Sequence, residues 1–449
     1  MSTVMRHLRW SEMSESEREA LCARGLADIF DPELRASIAE LIDDVRVRGD
    51  AAVCAALARY DAIELEPADL RVGPDELAAA EVSSAVDAAL DDAIAHCRAF
   101  NEQLMQRASG WSFEPEPGLR VGEKVTPIAS AGLFVPSGKA SYPSVAYQLG
   151  VPATVAGVPQ VVLVVPPAAG GSGRGGGRVG GMVDPAVLVV CRKLGIVDVF
   201  RVNGPAGIAA LGFGTESIPK VRKVVGPGSP AVACAQVEMQ RHGVATMMLL
   251  GPTESVVIAD DSADPVRLAA DLLIEAEHGT DSSVVLLTTS DSLAARTDAE
   301  LAGQLADLPA LRADAARSSL GVNGGCVVVD RLDEAVAVAN RYAPEHLQVA
   351  VADGDADRVV DGLVNAGEIL VGQHTPFSAA NFVIGCPAAL PTSGFAEVSS
   401  GITVEAFLKR TAIARADERA VSRMGPSIVA LADHEGFPAH AAALRRRGT

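Results

Sequence analysis

The stretches SVVLLTTSDSLAARTDAELAGQ, Ser283 to Gln304, and CVVVDRLDEAVAVAN, Cys326 to Asn340, decide the fold. SVVLLTT (283–289) and CVVVD (326–330) are short runs with apolar residues on both faces, the pattern of strands covered on both sides of a sheet. Each is followed by a segment, 291–306 or 332–341, whose apolar positions recur every three or four residues and predict a helix. Strand then helix, twice over, predicts α/β layers, because parallel neighbours need a long crossover between them. Working outward, VVLVV (161–165), VDVFRV (197–202), KVVG (223–226) and EILVG (368–372) read as further buried strands. Helices are predicted at 184–194, 205–213, 264–277 and 354–365. The expected fold is α/β: two αβα layered domains with largely parallel sheets, at 125–245 and 246–375. Residues 1–124 form a helical N-terminal region packing on this core, with helical spacing from Glu17 to Arg107. Residues 376–449 form a C-terminal segment, helical from Ile402.

At 449 residues the chain is long enough for two or three domains with a sizeable core. Lysine and arginine number 38 against 57 acidic residues, a net charge of −19. Such a surface repels phosphate backbones and anionic lipid, so nucleic acid and membrane partners are not expected. The seven cysteines are odd in number, widely spaced and without a CxxC pair, which argues against a disulfide framework and for a reducing, cytoplasmic setting. The opening MSTVMRHLRWSEMSESERE has charges where a signal peptide needs an apolar run. The most apolar stretch, Val151 to Pro167, is broken by prolines and falls short of a membrane span. AAGGSGRGGGRVGG (168–181) reads as a flexible surface insertion, since no phosphate-loop pattern falls there between a strand and a helix.

Three places carry residues capable of chemistry. In EAEHGTDSS (275–283), Glu275 and His278 are three apart on one helical face, a spacing used by metal sites, although a histidine in a last helical turn also suits the helix dipole. In YAPEHLQV, Glu345 and His346 adjoin after Pro344 and offer an acid and a base of different natural pKa; both also suit an ordinary helix start. His440, in EGFPAHAAA, is by itself an ordinary surface or packing histidine.

Together with AGLFVPSGKASYPS (131–144), GIAALGFGTESIPKVRKVVGPG (207–228), GPTESVVIAD (251–260), NRYAPEHL (340–347), LPTSG (390–394) and EGFPAHAAALR (435–445), these pieces make the chain resemble the histidinol dehydrogenase family from about residue 20 to its end. The resemblance implies two Rossmann-like domains, a zinc ion, NAD, and a homodimer whose active sites are shared between subunits, with the C-terminal segment completing site and interface. The family's zinc ligands, a Gln, a His, an Asp and a C-terminal His from the partner, fall on Glu275, His278, Asn381 and His440. The first and third have exchanged amide and carboxylate, so one negative charge, two oxygens and two imidazoles remain. The catalytic pair matches Glu345 and His346 unaltered, the Glu activating water and the His accepting the hydroxyl proton.

Substrate-facing positions match Ser144, Thr253, Phe377, Phe382, Ala388 and Glu435. Three family polar groups are thereby replaced, which leads to the expectation of an alcohol or amino alcohol other than histidinol. Lys139 stands where the family usually has a small residue and suits either an anionic substrate group, a carboxylate, sulfonate or phosphate, or an ordinary solvated loop position. Nucleotide-contacting positions match Phe134, Pro136, Ala206, Pro227 and Ser229, with the family's Tyr, Gln and Asn lost from the first, third and fifth. The leading expectation is a zinc-dependent, NAD(P)-linked dehydrogenase of an alcohol. The alternatives are a zinc enzyme of the same fold that has lost nicotinamide and uses the dyad for non-redox chemistry, and a non-catalytic paralogue that serves as a binding or assembly partner.

Overall fold

The computed structural model describes residues 3–23, 31–137, 141–167, 181–247 and 251–447. Lys139 and nearly all of the Gly-rich segment lie outside the described residues. The strands are β1 (His7–Arg9), β2 (Trp111–Glu116), β3 (Leu119–Pro127), β4 (Ala131–Phe134), β5 (Val161–Val165), β6 (Asp198–Arg201), β7 (Lys223–Val225), β8 (Glu254–Ala259), β9 (Ser283–Thr288), β10 (Gly325–Val328), β11 (His346–Ala350), β12 (Glu368–Val371) and β13 (Leu408–Ala416). The helices that position the site are α1 (Pro32–Arg48), α2 (Ser84–Arg107), α3 (Pro143–Val155), α4 (Gly204–Phe213), α5 (Pro230–Gln240), α6 (Pro265–Ala276), α7 (Leu332–Tyr342), α8 (Phe377–Phe382), α9 (Glu418–His434) and α10 (Pro438–Arg445).

Two all-parallel sheets form the body, ordered β6-β5-β4-β7 and β1-β10-β9-β8-β11-β12. Both faces of each are covered, as the unbroken apolar runs require. In β5, Val162 and Val164 point to a cluster with Ile42 and Val45 of α1, while Leu163 and Val165 point to one with Leu149 of α3 and Ile94 of α2. The helical N-terminal region therefore caps both faces of the first sheet, each fully buried aliphatic contributing about 1.5–3 kcal/mol. The second sheet alternates likewise: Val257, Leu286 and Cys326 face α6, and Val256, Leu287 and Val327 face α7.

Three features differ from the sequence reading. The N-terminal section is not wholly helical: β1 pairs with β10 at the edge of the second sheet, and β2 and β3 form a hairpin. The section after Ile402 opens with β13, which pairs antiparallel with β3 along its whole length. Its residues are nearly all exposed, so no buried face marks it, and LKRTAIARA reads as helical by propensity until strand pairing overrides it. Strands β4, β8 and β11 were not among the predicted runs; β8 and β11 open on Glu254 and His346, which hide the strand in a polar motif.

Residues 376–401 strap the two sheets together. Tyr147 Oη of α3 donates to Phe382 O at 2.6 Å, and Ala388 N donates to Gln148 Oε1 at 3.3 Å. At the other end Ser393 N donates to Glu254 Oε1 at 2.6 Å. Among the described residues no helix is long and apolar enough to cross a membrane.

Candidate active site

The amino edge of the six-stranded sheet holds the Glu345–His346 pair. Helix α7 stops at Tyr342 because Ala343 takes a left-handed conformation, φ 49°, and Pro344 cannot continue the helix. That conformation costs roughly 1 kcal/mol or more in a residue with a Cβ. The chain is held in it from both sides. Tyr342 Oη bonds Ser283 Oγ at 2.8 Å, and Gly367 N donates to Pro344 O at 2.9 Å. Position 367 admits only glycine, since a Cβ there would lie 2.5 Å from Glu345 O.

His346 opens β11 beside Ser255 of β8 and Glu368 of β12. Its Nδ1 lies 2.5 Å from Glu368 Oε1 and its Nε2 lies 3.7 Å from Glu345 Oε1. Glu345 Oε2 accepts from Glu254 N at 3.1 Å. The Phe377 ring closes one side edge-on, 5.8 Å between centroids. Glu254, Glu275, Glu345, Glu368 and His346 are all buried. Burial pushes Glu345 up to about 8, with Glu275 and Glu254 adding to the rise and His346 opposing it. For His346 burial is the strongest influence and acts downward, yet Glu275, Glu345 and Glu368 together outweigh it and push the imidazole up to about 10. One imidazole thus sits among three carboxyl groups in a medium that magnifies their fields. On the same face of β11, Gln348 Nε2 donates to Asp271 Oδ2 at 2.8 Å, tying α6 to the strand one turn before Glu275, while burial raises Asp271.

Glu275, His278 and Asn381 meet beside this cluster. Glu275 is 1% exposed, and its Oε2 makes no hydrogen bond although His278 Nδ1 is 3.3 Å away. Nδ1 is 3.0 Å from Ile274 O, a contact that places the proton on Nδ1 and the lone pair on Nε2. Asn381 Nδ2 donates to Glu275 Oε1 at 2.7 Å, which turns the amide oxygen elsewhere. A buried carboxylate oxygen without a hydrogen bond and an imidazole with its lone pair directed by the backbone are donors that suit a divalent cation, while Asn381 presents its amide nitrogen to Glu275 rather than its oxygen. Among the described residues no three His, Cys, Asp or Glu side chains converge on a metal position. His440 is not brought to them within one chain; it is exposed on α10, tilted against the Phe437 ring, and α10 packs on α9.

The remaining predicted residues divide. Thr253 precedes β8, its carbonyl accepting from Ser283 N at 3.0 Å, and Ser144 lies half-buried in the first turn of α3. Phe377 is fully buried in the core under α6, whereas Phe382 is 56% exposed and Glu435 ends α9 in the open. On the first sheet, Pro136 follows β4 and Pro227 follows β7, flanking the point where the strand order reverses. Gly226, φ 140°, presses on β4 so closely that a Cβ would meet Phe134 O at 2.1 Å. A cavity of about 440 Å³ opens at the carboxyl ends of β4, β5 and β6, lined by Pro136, Tyr142, Pro166, Asp61 and Asn203. Phe134 and Ala206 are sealed in the core and present no side chain to this cavity. Ser229 begins α5 without a side-chain cap bond.

Sequence reading missed Glu254 and Glu368. The available signal was a glutamate opening an otherwise apolar strand, in ESVVIA and EILV, where burial needs a partner.

A family model described as histidinol dehydrogenase matches residues 27–448. Histidinol dehydrogenase of Xanthomonas euvesicatoria is 39% identical over 99% of this chain and 99% of its own length. That of Methanosarcina barkeri is 36% identical over 99% and 98%. The crystal structure of histidinol dehydrogenase from Elizabethkingia anophelis superposes with a TM-score of 0.91 at 30% identity, covering 100% of this chain and 98% of that one.

Proposed function

The chain belongs to the histidinol dehydrogenase family, NAD-dependent and generally zinc-binding oxidoreductases that act on an alcohol, and we propose that it oxidises histidinol through Glu345 and His346. The observation that carries this reading is the buried dyad at the head of β11, His346 Nε2 facing Glu345 Oε1 at 3.7 Å. The expectation of a substrate other than histidinol is corrected: full-length relatives named for histidinol favour it. The three replaced positions sit in different surroundings. Phe377 packs on His346 and the core, Phe382 faces outward and uses its carbonyl on Tyr147, and the Ala388 amide is bonded to Gln148.

In this reading His346 takes the substrate hydroxyl proton at Nε2, and Glu345 holds and deprotonates the water that attacks the aldehyde. Each acts in its deprotonated form, so that with Glu345 pushed up to about 8 and His346 to about 10 turnover rises with pH through that range. Phe377 keeps bulk water from the imidazole. Glu275, His278 and Asn381, joined by His440 of the partner subunit in a homodimer, would hold the zinc. When bound, zinc supplies Lewis acidity toward the substrate oxygen, and NAD supplies the hydride acceptor. The strand-order reversal at β4 and β7, with the close approach of Gly226, supports nucleotide binding by backbone.

The test combines calorimetric titration with NAD, zinc counting by mass spectrometry, sedimentation, and NADH formation from histidinol. A zinc-loaded dimer that binds NAD and reduces it with histidinol is expected. The burial of Phe134 and Ala206 favours one second reading, non-redox chemistry by the same dyad, and absent NAD binding by zinc-loaded protein would install it.

A further inference from the structure

We propose that Glu368 is the positioning residue for His346, a carboxyl that grips Nδ1 and so aims Nε2 at the reacting hydroxyl; this rests on the reading of His346 as proton acceptor. Three observations carry it. First, the two residues are register partners on adjacent parallel strands, His346 on β11 and Glu368 on β12, so the backbone fixes their spacing before either side chain chooses a rotamer. Glu368 N donates to Glu345 O at 3.1 Å, which locks the two strand openings together.

Second, the contact is short and sealed. Nδ1 to Oε1 is 2.5 Å, both side chains are about 5% exposed or less, and Phe377 shields the ring from the side. A buried Nδ1–H given to a carboxyl settles that, in the neutral ring, Nε2 carries the lone pair, and Nε2 is the atom facing Glu345. When the hydroxyl O–H bond breaks, the new N–H bond forms at Nε2 and the electron pair stays on the substrate oxygen. The resulting imidazolium lies between Glu368 and Glu345, and both stabilise it.

Third, Glu368 has no evident packing reason to be there. Its Oε2 is buried without a hydrogen-bond partner, and an aliphatic residue would fit the strand EILV without that cost. The arrangement follows the orienting logic of the Ser-His-Asp triad, with the substrate hydroxyl in the place of the serine.

The experiment has two arms on full-length, zinc-loaded protein. Proton NMR of the wild type should show a far-downfield resonance coupled to an imidazole nitrogen, absent from both His346→Ala and Glu368→Ala. In kinetics, Glu368→Ala should lower kcat about 100-fold and Glu368→Gln about 10-fold, with KM for histidinol and NAD within about twofold and zinc content unchanged. The proposal is overturned if Glu368→Ala retains wild-type kcat, or if the wild type lacks the resonance. Should Glu368→Ala not fold, the wild-type spectrum and Glu368→Gln decide between the same outcomes. If the wild type oxidises no alcohol while the resonance is present and lost in Glu368→Gln, the proposed activity fails and the Glu368–His346 coupling stands.

Discussion

The amino edge of the six-stranded sheet and the carboxyl edge of the four-stranded sheet do different kinds of work. At the first, the strands open on Glu254, His346 and Glu368, and buried side chains crowd one imidazole. At the second, the strands run out into Pro136, Pro166 and Gly226-Pro227-Gly228, and the cavity there is lined by prolines and by scattered polar side chains such as Tyr142, Asp184 and Asp61 bonded to Asn203. Proton transfer needs titratable groups at fixed separations, which neighbouring strands in register supply. Recognition of a phosphate-bearing nucleotide needs close backbone approach, which glycine allows and side chains obstruct. Divergence at the second edge can therefore erase side chains and leave the surface usable, whereas at the first each residue is tied to the next.

That contrast breaks most sharply at the imidazole. His346→Ala should lower kcat by about 10²–10⁴-fold while leaving NAD affinity close to wild type and the fold intact, checked by steady-state kinetics, calorimetry and circular dichroism. The melting temperature should fall, because buried Glu345 and Glu368 lose their partner. Equal loss of NAD binding would merge the two edges into one site.

The next largest effect concerns Glu275 and Asn381. Glu275→Gln alone leaves two amides and no anion, and should weaken zinc binding at least about 10-fold. Adding Asn381→Asp restores one carboxylate and should recover most of that affinity in a competition titration against a chelator. Independent, additive losses would show that the two exchanges are unrelated.

Gly226→Ala tests the backbone edge. The added Cβ must push β7 from Phe134 O, so NAD affinity should fall about 10-fold, with kcat at saturating NAD little changed. A loss confined to kcat would count against a nucleotide at that crevice.

The smallest effect is at Ala343. Ala343→Gly relieves a left-handed alanine and should shift stability by less than about 1 kcal/mol, whereas Ala343→Val should cost about 1–3 kcal/mol by denaturant melts. Insensitivity to Ala343→Val would mean that this turn does not set the position of the dyad.

The two edges also differ in how far they could be read from sequence. Runs such as VVLVV and SVVLLT announce themselves because both faces of the strand are apolar, and observed β5 and β9 follow the expected bounds closely. Strand β13 gave no such signal, being exposed along its length, and only pairing with β3 makes it a strand. At the site, Glu345 and His346 stood out because they are adjacent in the chain. Glu368 did not, because its partnership with His346 is lateral, created when β12 docks beside β11. The meeting of Asn381 with Glu275 is non-local too, and came through the family resemblance rather than through spacing.

The most direct test follows the hydride. Histidinol carrying deuterium on its carbinol carbon, incubated with NAD and zinc-loaded protein, should give deuterated NADH by mass spectrometry in the wild type and almost none with His346→Ala. NAD left unreduced by the wild type, or an equal yield from His346→Ala, would contradict the account.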